Sequence, residues 1–545
     1  MLETVIVGGG LCGLALARSL LRRAAPFALF EARPRFGGRI LSETGAASGL
    51  TVDLGPTWFW PDTQPRVKRL IAELGLTGFP QHDEGAVLHL RDADKTPEQI
   101  GSTAIHNGAQ RVAGGMAGLV AALVGELPQD RLHPGHVLTR VTDRGDHVVL
   151  AFVADDREIE VEARRVVLAL PPRLITQHVT VTPGLDEGTL EAMRDAATWM
   201  ATQAKVVIGY DRPFWREAGR SGNAFVTHEQ AVVGEIFDAC DARGDHAALG
   251  GFLALSPELR ESFRTGLPIL LASQMVQVFG AALDGQDEQH YQDWAAEPFT
   301  CSALDRNEAP RAEHPDAANP LLRRPLWDGK LHLGGAETAG HAAGYLEGAL
   351  DAAGRIERAL ARAAANAAGD LPGDVDLSLA GNEASLARFR AWVAVQGDVV
   401  FDDYRQRLTR SLAAQQRDQL TQLAVLRSIE AVFAAALKVL DSLALDMTGI
   451  AVERGRSALM PDVQKPFGDF MQTFIDDVIA FNRTSCALSN FPDEHRLSKD
   501  YHQAILRDVA AAWQEFSLAA NRLLLAKADA VRPALVKVTP ISRSK

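Results

Sequence analysis

The sequence predicts an α/β core, a second domain built on a mixed sheet and an all-α bundle at the C-terminal end, on three observations. Residues 4–7 (TVIV) form a short apolar β-type run, Gly8, Gly10 and Gly13 follow in G-x-G-x-x-G spacing, and 14–21 carry helical apolar periodicity. Between about 85 and 365, runs such as 137–141, 147–153, 204–210, 224–227, 232–237 and 247–253 alternate or stay apolar, as strands of an antiparallel or mixed sheet should. Beyond about residue 370 glycine nearly vanishes and leucines, isoleucines and valines recur at threes and fours.

The first segment reads as a Rossmann-like β-α-β unit. One glycine makes the strand-to-helix turn, one lets the backbone approach a pyrophosphate, and one lets the helix pack closely on the strand. The helix N-terminus then faces the phosphates. A second apolar run, 27–30, ends on Glu31, 18 residues after Gly13, where an acid can hold ribose hydroxyls. NAD and FAD share this geometry. The next segment, Arg33-Pro34-Arg35-Phe36-Gly37-Gly38-Arg39, favours FAD: a second glycine pair and fixed cations suit the longer molecule, and arginine keeps its charge at any working pH.

Further along, 65–74 reads as an amphipathic helix, and 106–127 as a Gly-rich turn (Arg111, Gly114, Gly115) leading into a helix. Residues 165–170 form a buried strand stopped by Pro171-Pro172, and 266–283 a helix. Asp370-Leu371-Pro372-Gly373-Asp374 is a linker signal. After it 384–396, 403–445, 463–486 and 499–530 read as helices, with Ser498 as an N-cap. Their stripes suggest a bundle, either burying its own apolar faces or binding a partner.

At 545 residues the chain is too long for one core. A formal charge of −13 argues against nucleic acid as main partner. No apolar run approaches the roughly 20 residues a membrane span needs. The first strand begins at once, leaving no room for a cleaved leader, and Cys12, Cys240, Cys301 and Cys486 have no paired spacing. A cytoplasmic protein with reduced thiols and no metal site is the expectation.

By Gly37-Gly38-Arg39 and Asp53-Leu54-Gly55, residues 4–365 resemble the FAD-dependent amine oxidases, the monoamine and polyamine oxidase superfamily. Val166-Val167-Leu168-Ala169-Leu170-Pro171-Pro172 is similar to that family's strand re-entering the FAD domain. Lys205 to Trp215 (KVVIGYDRPFW) is similar to its lysine-strand-Pro-Phe-Trp signature. Leu333-Gly334-Gly335-Ala336-Glu337-Thr338, followed by Gly344-Tyr345-Leu346-Glu347-Gly348-Ala349, is similar to its C-terminal flavin-binding element. The region after 370 lies outside the resemblance.

The resemblance implies an FAD-binding domain of 1–80, 107–172 and 326–368 and a substrate domain of 81–106 and 173–325; the linker signal and the helical stripes give a linker of 369–380, a bundle of 381–532 and a tail of 533–545. It implies that FAD is held by Gly8, Gly10, Gly13, Glu31, Arg33, Gly38, Arg39, Val137, Gly335, Glu337 and Leu346. Lys205 takes the place of the lysine that holds a water at flavin N5, Trp294 that of a tryptophan near the ring, and Tyr345 that of one wall of an aromatic cage. The implied reaction removes a hydride from the carbon beside an amine nitrogen, with O2 or another acceptor reoxidising the flavin and, for O2, releasing H2O2.

Three positions depart from the pattern. Counted without gaps from Trp294, the second cage wall falls on Leu304 and the covalent flavin cysteine on Ala303, so FAD is expected to be non-covalent, with Cys301 two residues away. Ala336 replaces a threonine. Only about 50 residues separate Trp58 from Arg111, which makes the substrate domain compact. Two other readings stay open: a desaturase or isomerase of an apolar substrate on the same scaffold, favoured by the missing cage aromatic and the Ala/Leu-rich character, and an interaction or assembly protein with a structural flavin domain. The helical region could serve homo-oligomerisation or a protein partner.

Overall fold

A computed structural model describes residues 1–46, 48–101, 105–280, 288–307, 318–369, 382–413, 419–447, 450–453, 455–485, 488 and 491–531. The chain forms two compact units, Met1–Glu357 and Arg358–Lys545. Among the described residues no helix is long and apolar enough to cross a membrane.

The first unit is organised by two sheets. Strand β1 (Leu2–Val7) lies inside an eight-stranded sheet, parallel to β2 (Phe27–Phe30) on one side and to the end of Arg157–Leu168 on the other. Val5, Ile6 and Val7 are almost wholly buried, as a parallel strand covered on both faces must be. Helix α1 (Leu11–Arg22) makes the crossover connection that two adjacent parallel strands, β1 and β2, require. The glycines meet the need their spacing predicts. Gly8 has φ +107°, where a Cβ would lie 2.4 Å from the Ala169 carbonyl oxygen, and a Cβ on Gly13 would lie 2.0 Å from the Gly8 carbonyl oxygen, so α1 packs on the turn after β1 only because Gly13 lacks a side chain.

The second sheet has seven strands in the order Glu288–Asp293, Ala204–Tyr210, Ala247–Leu253, Val233–Asp238, Arg220–Val226, Ala86–Leu90 and Glu98–Gln99. It is mixed: Arg220–Val226 runs parallel to Ala86–Leu90, while the three adjoining pairs around Ala247–Leu253 and Ala204–Tyr210 are antiparallel. Helix Leu267–Phe279 packs its Leu267, Leu271, Met275 and Val278 onto one face of this sheet. It ends at Phe279, four residues before the helix end expected from the sequence, with Gly280 as its C-cap, and 281–283 lie outside the described residues.

The second unit is helical, with Asn382–Ala394, Gln396–Ala413, Leu420–Ser442, Phe467–Thr484 and Lys499–Val531 around an aromatic-rich core of its own. Phe467 touches the rings of Phe389, Phe433, Phe470, Trp513 and Phe516. The single helix expected over 403–445 is two. The break has a cause outside the local pattern: Gln419 takes a left-handed conformation, and the Glu494 carboxylate accepts from the amides of Leu420 and Thr421 at 2.7 and 2.9 Å, starting a new helix there. The helix expected over 463–486 is likewise divided at Pro466, between Met460–Gln464 and Phe467–Thr484. Ser498 does cap the last helix, its hydroxyl accepting from Tyr501 N at 3.2 Å. The linker signal at 370–374, Cys486 and the tail from 533 lie outside the described residues.

Candidate active site

One cavity of about 640 Å³ runs from the first sheet to the second within the Met1–Glu357 unit. Thirteen of the fourteen site residues expected from the sequence line it; Gly13 is the exception, its place being the contact between α1 and Gly8.

At the first-sheet end the cavity begins at Val137 and His136 and passes the N-terminus of α1. Gly10 caps that helix without any side-chain hydrogen bond, there is no acid in the first turn, and no protein atom lies within 4 Å of where a Gly10 Cβ would be. Unspent amides, a positive helix end and open space are what a pyrophosphate requires. Glu31 accepts from Gly9 N at 2.7 Å and from Arg33 N at 2.9 Å, which fixes the carboxylate and leaves a further lone pair on each oxygen for ligand hydroxyls.

The two lining arginines are tied down. Arg33 donates to Glu297 and, at 2.9 Å, to Thr300 Oγ1, with its guanidinium over the Phe299 ring. Arg39 pairs with buried Glu337 at 2.7 Å and donates to the Trp199 carbonyl at 2.9 Å. Arg35, expected to face phosphate or flavin, instead donates to the carbonyls of Phe36, Gly38 and Ile40. It braces the Gly37-Gly38 turn, because that turn points three carbonyls at it.

At the second-sheet end Lys205 is 2% exposed. Its ammonium donates to the Gly55 carbonyl at 2.9 Å and to Thr57 Oγ1, and it lies 5.3 to 5.9 Å from the ring centres of Phe237, Phe252 and Trp58. Burial pulls its pKa down to about 7, with Asp53 and Glu235 acting the other way. Phe237 reaches this position because its cross-strand partner is Gly250, where a Cβ would sit 2.4 Å from the ring. Trp294 is buried and donates from Nε1 to the Leu54 carbonyl at 3.0 Å.

Tyr345 is 39% exposed and faces Trp199, ring centres 5.6 Å apart and planes tilted by 45°. The aromatic opposite Tyr345 is therefore Trp199. Leu304, the expected second wall, is 42% exposed and absent from the cavity lining. Its helix, Ala303–Asn307, is held by Asp305, whose carboxylate accepts from the Ser302 hydroxyl at 2.7 Å and pairs with fully buried Arg173 at 2.8 Å. Sequence reasoning missed Trp199, Glu235 and Phe252. For Trp199 the available signal was the aromatic six residues before Lys205; the other two become visible only with strand register.

Residues 11–100 and 90–356 match the family described as flavin containing amine oxidoreductase. The chain belongs to that family. Among curated relatives, a putative flavin-containing monoamine oxidase, AofH, of Mycobacterium tuberculosis is 42% identical over 83 residues, 15% of this chain, and the match spans 18% of that relative's length. Putrescine oxidase of Kocuria rosea is 24% identical over 46% of this chain and 73% of its own. Amine oxidase B of Mus musculus is 23% identical over 62% and 82%. Two solved structures share the fold. They are putrescine oxidase bound to putrescine (TM-score 0.53, 20% identity, 67% of this chain and 99% of that one) and cyclohexylamine oxidase from Brevibacterium oxydans IH-35A (TM-score 0.53, 19% identity, 66% and 98%).

FAD is the cofactor this family implies, and the residues fit it: the open helix N-terminus at Gly10 suits a pyrophosphate, and the cavity continues from there to Lys205. Cys301 is buried beside Ala201 and Ala295 and does not line the cavity, and Ala303 has no sulfur to offer. Acid or guanidinium denaturation is accordingly expected to release all the flavin into the supernatant. Flavin that stays with the precipitated chain would show a covalent bond.

Proposed function

We propose that this chain is an FAD-dependent oxidoreductase that oxidises an amine-bearing small molecule, with O2 as electron acceptor and H2O2 as product. The observation that carries the reading is the convergence of a buried, doubly anchored lysine ammonium with the facing rings of Tyr345 and Trp199 in one cavity. FAD, when bound, supplies the acceptor for the hydride leaving the carbon beside nitrogen. The chain's own residues supply position and charge. The Tyr345 and Trp199 rings attract the residual cation of an amine by about 0.5–2 kcal/mol, depending on how dry the site is. Lys205 places a positive charge where negative charge develops. Trp294 and Phe252 form apolar wall that excludes water.

In this reading Gly8, Gly10, Glu31, Arg33, Gly38, Arg39, Val137, Gly335, Glu337 and Leu346 hold the cofactor, 1–80, 107–172 and 326–368 are its domain, and 81–106 with 173–325 form the substrate domain. The bundle of 381–532 serves self-association or a protein partner. Buried free thiols at Cys12, Cys240 and Cys301 support a reducing, cytoplasmic setting. The apolar-substrate reading drew on a missing second aromatic wall and on the Ala/Leu-rich character of the chain; the Trp199 ring facing Tyr345 weakens the first of these.

The test is anaerobic. Amines and amino acids are added to the FAD-loaded protein, the visible flavin band is followed, and oxygen is then readmitted. At least one amine is expected to bleach the band, and readmission to restore it with one H2O2 per flavin turned over. A broad amine series that leaves a fully loaded protein unbleached would overturn the reading.

A further inference from the structure

We propose that Thr57 is a positioning residue for Lys205: its buried hydroxyl, together with the Gly55 carbonyl, fixes the direction in which the ammonium presents its remaining N–H to the cavity. This role rests on the charge assigned to Lys205 above and adds the side chain on which that charge depends for its aim.

An ammonium carries three donors and no acceptor. Lys205 directs one to the Gly55 carbonyl at 2.9 Å and one to Thr57 Oγ1, its two acceptors among the described residues. The rings of Phe237, Phe252 and Trp58 attract the charge but select no particular N–H. With two of the three tetrahedral directions taken, the third is set. Held by Gly55 alone, the other two N–H groups would turn about that one bond. Lys205, Gly55 and Thr57 all line the cavity.

The anchors can set a direction because the segment carrying them is pinned along its length. Asp53 accepts from Met116 N at 2.7 Å and from the Ser42 hydroxyl at 2.5 Å. Leu54 N donates to the Leu41 carbonyl at 2.9 Å, and the Leu54 carbonyl accepts from Trp294 Nε1 at 3.0 Å. Gly55 packs on the Arg39 carbonyl oxygen, which lies 2.0 Å from where a Cβ would be. Thr57 is buried and β-branched, so its Oγ1 has little freedom to leave. A threonine hydroxyl also donates, which lets it turn its proton toward Nζ once the ammonium has titrated and hold Lys205 in both states. Of the two anchors, Thr57 is the one that a substitution can remove. The charged groups acting on Lys205 are Asp53, Arg111 and Glu235, and all three stay in place in a Thr57 variant.

The test uses the FAD-loaded, full-length protein and no amine, which separates it from the amine reading. Absorbance of the oxidised flavin is followed between about pH 5 and 10 in the wild type, Lys205→Met, Thr57→Val and Thr57→Ser. The step that Lys205→Met abolishes belongs to the ammonium. Thr57→Val keeps the shape of the side chain and is expected to move this step down by about one pH unit, the effect of losing one hydrogen bond to a charged group, while Thr57→Ser returns it to within about 0.3 unit of wild type. Thr57→Ala, which also lacks the hydroxyl, takes the place of valine where valine disturbs folding. Photoreduced protein mixed with oxygenated buffer below the step gives a second readout: loss of the hydroxyl is expected to slow reoxidation about tenfold, and serine to restore it. A step that stays where it is in the hydroxyl-free variants overturns the positioning role, even where those variants melt earlier. So does a wild type with no step that depends on Lys205, since the ammonium then does not face the ring. Amines that all fail to bleach the flavin would sink the amine reading and leave both measurements of Thr57 intact.

Discussion

Replacing Lys205 by methionine is expected to slow the return of the reduced cofactor to its oxidised form by O2 about 100- to 1,000-fold, the range seen when one preorganised donor is removed from a site of developing negative charge. Methionine keeps the length and apolar bulk of the side chain, so the Phe237, Phe252 and Trp58 rings that surround the ammonium keep their packing. What is lost is charge and the donors to Gly55 and Thr57. The pH dependence separates this role from a merely structural one. Burial sets the Lys205 pKa near 7, so the ammonium is present below that pH and lost as pH rises through it. The wild-type reoxidation rate is therefore expected to fall between about pH 6 and 9, and the Lys205→Met profile to be flat over the same range. Stopped-flow mixing of the photoreduced enzyme with oxygenated buffer measures both. A variant with a wild-type rate, or one that keeps the titration, removes Lys205 from the chemistry.

The part of the cavity proposed for the cofactor was legible in the sequence because its requirements are local. The turn at Gly8, the open space at Gly10 and the helix contact at Gly13 depend on neighbours within a few residues, so spacing alone announces them. The substrate half depends on which strand lies beside which. Glu235 is 30 residues from Lys205 in the chain, and only the register through Phe252 puts the two carriers of charge on one face. Counting without gaps put the second aromatic wall at Leu304 because a linear count does not see the Arg173–Asp305 pair that turns this segment outward. The same limit applies in the bundle. The leucine stripe over 403–445 continues smoothly past the point where Glu494, more than 70 residues away, caps a fresh helix at Leu420. Arg35 shows a different gap: its charge was evident, but its partners are three carbonyls of its own loop, which only the backbone path reveals.

Gly13→Val and Gly10→Ala should both deprive the chain of FAD, for opposite reasons. At Gly13 the added Cβ meets the Gly8 carbonyl oxygen at 2.0 Å, and that oxygen has little freedom to retreat. Gly8 is held by its own amide, which donates to the Phe30 carbonyl of β2 at 2.8 Å, and the Ala169 carbonyl crowds its other side. The helix must move instead, carrying its N-terminus away from the cavity and breaking the Gly9–Glu31 bond that orders the loop. Overpacking of this kind costs about 1–3 kcal/mol or more, so Gly13→Val is expected to lose thermal stability and to purify colourless. Gly10 has φ −74°, which alanine accepts, and its methyl would meet no protein atom within 4 Å. The methyl enters only the space assigned to the pyrophosphate. Gly10→Ala should therefore keep the unfolding free energy of the flavin-free chain within the roughly 0.5 kcal/mol typical of neutral substitutions, while its affinity for FAD drops at least about tenfold. Calorimetry on the stripped proteins and titration with free FAD give the two numbers. A Gly10→Ala chain that binds FAD as tightly as wild type would mean that the phosphates do not lie over α1.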